Sequence, residues 1–153
     1  MFQFLEVEEL VDDDLELVLI AKVPANDERG FVPCYNFEMK VADEIVGEIK
    51  LRIGENYDLT MFSGQIGYSV SPPSRGQRFA SRSCRLLFDL ARRHGMTELW
   101  ITCDENNASS RRTCELAGAT LVEIVDLPHY HDIYKRGGRR NCRYRIMLDL
   151  LHN

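Results

Sequence analysis

From Leu15 to Val23 the chain is apolar apart from Glu16 and Lys22, a length and content that predict a β-strand. Pro24–Pro33 then carries Pro, Asn, Asp and Gly and reads as a loop. Beyond it the polarity alternates. Tyr35, Phe37, Met39 and Val41 are interleaved with Asn36, Glu38 and Lys40. Within Ile45–Ile53, Gly47, Ile49, Leu51 and Ile53 are interleaved with Val46, Glu48, Lys50 and Arg52. Two period-two runs predict a hairpin, turning at Ala42-Asp43-Glu44. Gln65–Val70 predicts a further short strand, with Ile66, Tyr68 and Val70 on one side, ended by Ser71-Pro72-Pro73-Ser74.

The period then changes. Ala80, Cys84, Leu87, Phe88 and Ala91 fall at helical spacing, and Arg82, Arg85, Asp89, Arg92 and Arg93 take the opposite face. This predicts one amphipathic helix, stopped by Gly95. Leu99–Cys103 is a continuous apolar run, as in a strand buried on both faces. Asn106–Ser110 offers capping residues for a short helix near 109–117, closed by Gly118. Thr120–Leu127 predicts a strand and His129–Asn141 a polar loop. Cys142, Tyr144, Ile146, Leu148 and Leu150 alternate with polar or exposed positions in a closing strand. A strand–helix–strand unit of about thirty residues implies a right-handed parallel crossover. The expectation is a single α/β (α+β) domain over 1–153, with a mixed sheet and helices on its faces.

Composition narrows the function. The net charge of −5 argues against a general nucleic-acid or anionic-membrane binder, which needs a basic excess. No apolar run approaches the roughly 20 residues that span a bilayer. The N-terminus has no basic start and no cleavage site, so a cytoplasmic protein is expected. The five cysteines lack Cys-x-x-Cys spacing and read as scattered reduced thiols. His129-Tyr130-His131 has no third ligand nearby, so a solvated loop and no metal are expected. Seven acids in residues 6–16 interleave with Leu and Val, and read as the solvated face of an ordered segment.

The informative stretch is Gly64–Ala80, a strand running into a tight turn that opens a helix. The first amides of a helix lack intrahelical partners and the dipole is positive there, which suits a pyrophosphate. A P-loop (Gly-x-x-x-x-Gly-Lys-Ser/Thr) and a dinucleotide turn (Gly-x-Gly-x-x-Gly) are both missing. Arg75-Gly76-Gln77-Arg78-Phe79-Ala80 resembles the acyl-CoA signature of the GNAT N-acetyltransferases, Arg/Gln-x-x-Gly-x-Gly/Ala. Ile66-Gly67-Tyr68-Ser69-Val70 resembles that family's fourth strand. Asn107-Ala-Ser-Ser110 through Glu115-Leu-Ala-Gly118 resembles its Asn-x-x-Ser…Glu-x-x-Gly helix, closest to the subgroup that includes the ribosomal-protein N-terminal acetyltransferases. The likeness covers residues 35–150.

The resemblance implies a centrally splayed sheet with helices on both faces and acetyl-CoA as cosubstrate. It assigns Tyr68, Ser69 and Val70 to the pantetheine arm, and Arg75, Gly76, Gln77, Arg78, Phe79, Ala80 and Ser81 to the phosphates. Asn107 and Ser110 join them. An acceptor amine, on a small molecule or a protein N-terminus, would attack the thioester directly. Glu48 and Asp104 are the candidate bases, against the reading of each as an ordinary solvated carboxylate. Arg82, Arg85, Arg92 and Arg93 are either a charged helix face or contacts to the ribose phosphate. No membrane or nucleic-acid partner is expected, and a homodimer is left open.

Three departures stand out. Arg78 replaces a glycine, and either crowds the phosphates or adds a charged hydrogen bond to them. Cys114 stands where many members place a proton-donating tyrosine, as a nucleophile or as a packed thiol. Pro24–Cys34 is too short for the family's two acceptor helices, so the acceptor side is reduced or open. A non-catalytic module of the same fold is the competing reading.

Overall fold

In a computed structural model describing residues 1–148, the alternating runs become antiparallel strands. β1 (Leu10–Asp12), β2 (Leu15–Val23), β3 (Cys34–Val41), β4 (Glu44–Arg52) and β5 (Ile66–Val70) pair in chain order as one sheet. β6 (Glu98–Asp104), β7 (Thr120–Asp126) and β8 (Arg140–Met147) form a second, with β8 between the other two. β6 and β7 are both antiparallel to β8, so they run parallel to each other as the crossover argument expects. Helices α1 (Phe79–Leu86), α2 (Phe88–Arg93), α3 (Ala108–Leu116) and a single turn, α4 (Asp132–Lys135), complete the fold with a π-helical turn at Leu59–Ser63.

The alternation sorts cleanly into faces. Leu15, Leu17, Tyr35, Phe37, Met39, Ile49 and Leu51 are buried, and share one core with Phe79, Leu87 and Phe88 of the helices. Leu99, Ile101, Tyr144 and Ile146 of the second sheet join that core. On the other side of β6 the Arg143 guanidinium lies 3.9 Å over the Trp100 ring, that of Arg145 lies 5.5 Å away, and Thr102 donates to the Phe62 carbonyl of the π-helical turn. Cation–π stacking lets the aliphatic stems screen an aromatic ring.

Local departures from the sequence reading have physical causes. The hairpin turns on two residues, Ala42 and Asp43, both left-handed at φ 51° and 66°. That is the primed geometry whose twist matches paired strands. Glu44 therefore belongs to β4, and a bulge at Met39–Lys40 absorbs the extra residue. The single helix expected over 80–93 is two, because the Leu87 amide bonds to Cys84 in a tightened turn. The acids of residues 6–16 stay largely solvated, as expected, and Arg82 additionally holds Asp12 at 2.7 Å and Asp14 at 2.7 Å. The loop 129–141 is not simply polar and solvated. His131 is buried, donates from Nε2 to Asp58 at 2.9 Å and accepts at Nδ1 from the Ile133 amide. The closing strand ends at Met147, and Leu150 lies outside the described residues.

The two sheets meet at Gln65, which is 1% exposed. Its backbone amide donates to the Trp100 carbonyl at 2.8 Å. Its side-chain Oε1 accepts from the Trp100 amide at 2.7 Å, while Nε2 donates to the Gly54 carbonyl at 2.7 Å. Beyond this junction β5 pairs only with β4 and β6 only with β8, so the sheets part.

Gln65→Leu keeps the volume but strands the Trp100 amide and the Gly54 carbonyl. Each buried group left unpaired costs about 1–3 kcal/mol. The substitution is expected to lower the unfolding free energy by about 2–4 kcal/mol, read in urea with the m-value unchanged. A loss below about 1 kcal/mol would contradict the role given to this side chain.

Candidate active site

Where β5 leaves β6, one edge of β5 is free. The Arg52 amide bonds to the Gln65 carbonyl and the Ser71 amide to the Val46 carbonyl, so odd-numbered residues of this strand face β4. By the alternation of an antiparallel ladder, the backbone groups of Tyr68 and Val70 point into the gap. The gap opens into a cleft of about 400 Å³. Tyr68, Ser69, Val70, Arg75, Gly76, Arg78, Phe79, Ala80, Asn107 and Ser110 line it, together with Ser74, Ser109 and Thr113. Two residues expected there do not line it, Gln77 and Ser81; the Ser81 hydroxyl donates to the Arg78 carbonyl at 3.1 Å instead. Ser109 and Thr113 were missed by the sequence reading, although helical spacing from Ser110 places Thr113 on a neighbouring face.

The turn leaves a run of backbone amides without partners. Among the described residues, no backbone hydrogen bond outside the helix engages the amides from Gly76 to Ser81, and Phe79, Ala80 and Ser81 are the orphan first amides of α1. Arg75 is partly committed: its Nε donates to the Val70 carbonyl at 3.0 Å. The Arg78 side chain makes no hydrogen bond or ion pair among the described residues, which leaves its guanidinium free at the cleft. Its backbone is left-handed, φ 63° and ψ 22°. That conformation costs a non-glycine residue about 1–2 kcal/mol. The resembled family's glycine therefore has a conformational reason as well as one of close approach.

The other arginines are spoken for. Arg82 binds Asp12 and Asp14, Arg85 donates to the Leu116 carbonyl, Arg92 to that of Leu148 at 3.1 Å and Arg93 to that of Glu6 at 3.2 Å. They tie α1 and α2 to the rest of the fold.

Asn107 is the N-cap of α3, its Oδ1 accepting from the Ser110 amide at 3.0 Å. Its Nδ2 makes no bond among the described residues. Behind the cleft the Tyr68 hydroxyl meets Ser110 Oγ at 2.6 Å, and burial pushes its pKa up. Cys114 is fully buried beneath them. Its neighbour Cys103 and its burial both push the Cys114 thiol pKa up. Burial pushes Cys84 up to about 12. Cys114 is thus a packed thiol, and the hydroxyl groups nearest the cleft at this point are those of Tyr68 and Ser110.

Neither candidate base lines the cleft. Glu48 lies on the exposed face of β4, opposite Ser69 in register. Asp104 ends β6 and accepts from the Asn106 amide at 2.9 Å, with its carbonyl taking the Asn107 amide at 3.0 Å. On the same polar face as Glu48, at the far end of β4, lies a second cleft of about 330 Å³. The short 24–33 loop and the π-helical turn bound it. Among the described residues, no group of three or more His, Cys, Asp or Glu side chains could hold a metal ion, and no helix is long and apolar enough to cross a membrane.

A model of the acetyltransferase (GNAT) domain family matches residues 7–120. That is well over half of the chain, which therefore belongs to the GNAT acetyltransferases. Among curated proteins, none is similar enough in sequence to count as a match. Several solved structures share the fold. RimL, the ribosomal L7/L12 alpha-N-protein acetyltransferase, solved with coenzyme A, is 17% identical over 93% of this chain and 99% of its own, with a TM-score of 0.68. RimJ of Mycobacterium smegmatis, solved in a complex with CoA-disulfide, is 18% identical over 78% of this chain and 56% of its own, with a TM-score of 0.62. The microcin C7 self immunity acetyltransferase MccE, solved with acetyl-CoA and AMP, is 17% identical over 74% of this chain and 61% of its own, with a TM-score of 0.59.

Two residues separate charge and geometry at the turn. Arg78→Ala removes the guanidinium and keeps the left-handed strain, whereas Arg78→Gly removes both. Both are expected to weaken CoA binding by about tenfold, and the wild-type affinity should fall faster with salt than theirs. A tenfold gain on Arg78→Gly would mean that crowding, not charge, governs the position. At Asn107, Asp keeps the cap and loses the amide donors, while Ala loses both. Asn107→Ala should cost about 1 kcal/mol of stability and Asn107→Asp almost none. Both should weaken CoA by about 1–2 kcal/mol in isothermal titration. Unchanged affinity in the aspartate variant would confine Asn107 to capping.

Proposed function

We infer that the protein is an acetyl-CoA-dependent N-acetyltransferase acting on a primary amine of a small molecule or a protein N-terminus. The observation that carries this reading is the run of unpaired amides from Gly76 to Ser81, beside the free Arg78 guanidinium and next to the open edge of β5. Amides and guanidinium together suit a pyrophosphate. The Tyr68 and Val70 backbone groups suit the amides of a pantetheine arm lying in the gap. The family to which the chain belongs supports the same cosubstrate.

Acetyl-CoA supplies an activated acetyl thioester, at which a C–N bond forms as the C–S bond breaks. The chain's own groups would do the rest. The free backbone amides of Tyr68 and Val70 are placed to stabilise an oxyanion. Glu48, across from Ser69, is the better of the two candidate bases, since Asp104 is occupied in its turn. It would take the ammonium proton directly or through water. The Tyr68 hydroxyl, kept protonated by burial and relayed to Ser110, is placed to return a proton to the leaving thiolate. Five free thiols fit a reducing compartment, and the cytoplasm is the proposed location.

Titration with acetyl-CoA should reveal one site per chain and raise the melting temperature, because the ligand binds only the folded state. Release of CoA thiol in the presence of amines should follow, and Glu48→Gln should lower that rate by about 10²-fold or more while leaving CoA affinity in place. No heat and no thermal shift at millimolar acetyl-CoA would overturn the reading; binding without transfer to any amine would reduce it to a CoA-binding module.

A further inference from the structure

The polar face of β4 is ordered by charge. Glu48, Lys50 and Arg52 follow one another on it. The side chains of Lys50 and Glu48 make no hydrogen bond or ion pair among the described residues. Across the ladder Glu48 faces Glu38, Lys50 faces Asn36 and Arg52 faces Cys34. The end of the face nearest Ser69 therefore holds two carboxylates side by side, a juxtaposition that favours a cation between them. The other end holds two cations, Lys50 and Arg52, with no acid across the ladder from either. Both cations line the second cleft, with Val23, Phe31, Val32 and Leu59 as its apolar wall.

The one acid in that cleft is already satisfied. Asp58 Oδ1 receives His131 Nε2 at 2.9 Å and Oδ2 receives the Ser63 hydroxyl at 2.9 Å. Arg52 spends one nitrogen on the Gly64 carbonyl at 3.0 Å and lies against Gly67 of β5. Gly67 and Ser69 are on the same face of β5, so the cationic cleft leads along that strand to Ser69 and Glu48, beside the gap that holds the thioester in the reading above. Glu48 and Lys50 are two residues apart, roughly 7 Å along a strand.

We propose, on the basis of that reading, that the acceptor is an amine that also carries a carboxylate. Its ammonium sits at Glu48 and Glu38, and its carboxylate at Lys50 and Arg52. The cleft, about 330 Å³, is at the small end of ligand pockets, which fits a free amino acid or the first residues of an acidic peptide.

The test uses matched acids and amides in isothermal titration, with the protein free and with it saturated in CoA. The pairs are γ-aminobutyrate against γ-aminobutyramide, and the peptide amides Ala-Asp-Ala against Ala-Asn-Ala. The acid of at least one pair should bind about tenfold tighter than its amide, and the advantage should largely vanish in Lys50→Gln, whose CoA affinity stays at the wild-type value. The pair that shows the contrast identifies a small-molecule or a peptide source. Equal binding of acid and amide, no heat from any acid at millimolar concentration, or an advantage that survives Lys50→Gln overturns the proposal. The free-protein titration decides this without CoA, so a failure of CoA to bind counts against the acetyltransferase reading alone.

Discussion

Gln65 sits where two sheets must touch once and then separate. A glutamine amide can donate and accept at the same time, and here it accepts from Trp100 and donates to Gly54 in the protein interior. Had the ladder continued past this point, the backbone groups of Tyr68 and Val70 would be spent on β6. Because it stops, they remain available beside the orphan amides of α1. The cleft thus follows from ending a hydrogen-bond ladder in a controlled place, with a buried side chain closing its last rung. Thr102 Oγ1 and Asn141 Nδ2 both donate to the Phe62 carbonyl, and Arg143 to that of Thr60, so the π-helical turn before Gln65 is held to the second sheet as well.

Much of this was legible in the residues. Tyr35, Phe37 and Met39, and Ile49 and Leu51, sort to the core because a strand's side chains alternate, and no tertiary information is needed to see it. The strand-to-helix turn was legible because a strand, a Pro-Ser-Arg-Gly turn and a helical period follow one another within Gly64–Ala80. Ten of the twelve residues assigned to the cosubstrate come together in one cleft. What the sequence hid was contact that depends on distant partners. The burial of His131 needs Asp58, more than seventy positions away in the chain. The commitment of Arg82 needs Asp12 and Asp14, which a helical wheel cannot supply. The break at Leu87 leaves no mark in the apolar period, because both halves keep the same buried face.

Arg78 joins the two levels. By pattern it is a substitution of a glycine; by geometry it is a left-handed residue whose strain is tolerated next to a cleft. Its free guanidinium gives that strain a use if phosphates arrive there. Cys114 resolves in the opposite direction: the thiol is fully buried, while the Tyr68 hydroxyl and Ser110 Oγ are hydrogen-bonded to each other beside the cleft.

In the proposed function, the strand-to-helix turn and the free edge of β5 together receive the cosubstrate. Backbone amide chemical shifts, recorded while acetyl-CoA is added to isotopically labelled protein, test it residue by residue. The account predicts the largest changes at Gly76 to Ser81 and at Tyr68 and Val70, with smaller ones at Asn107 and Ser110. Changes confined elsewhere in the chain, with those amides unmoved at saturation, would contradict it.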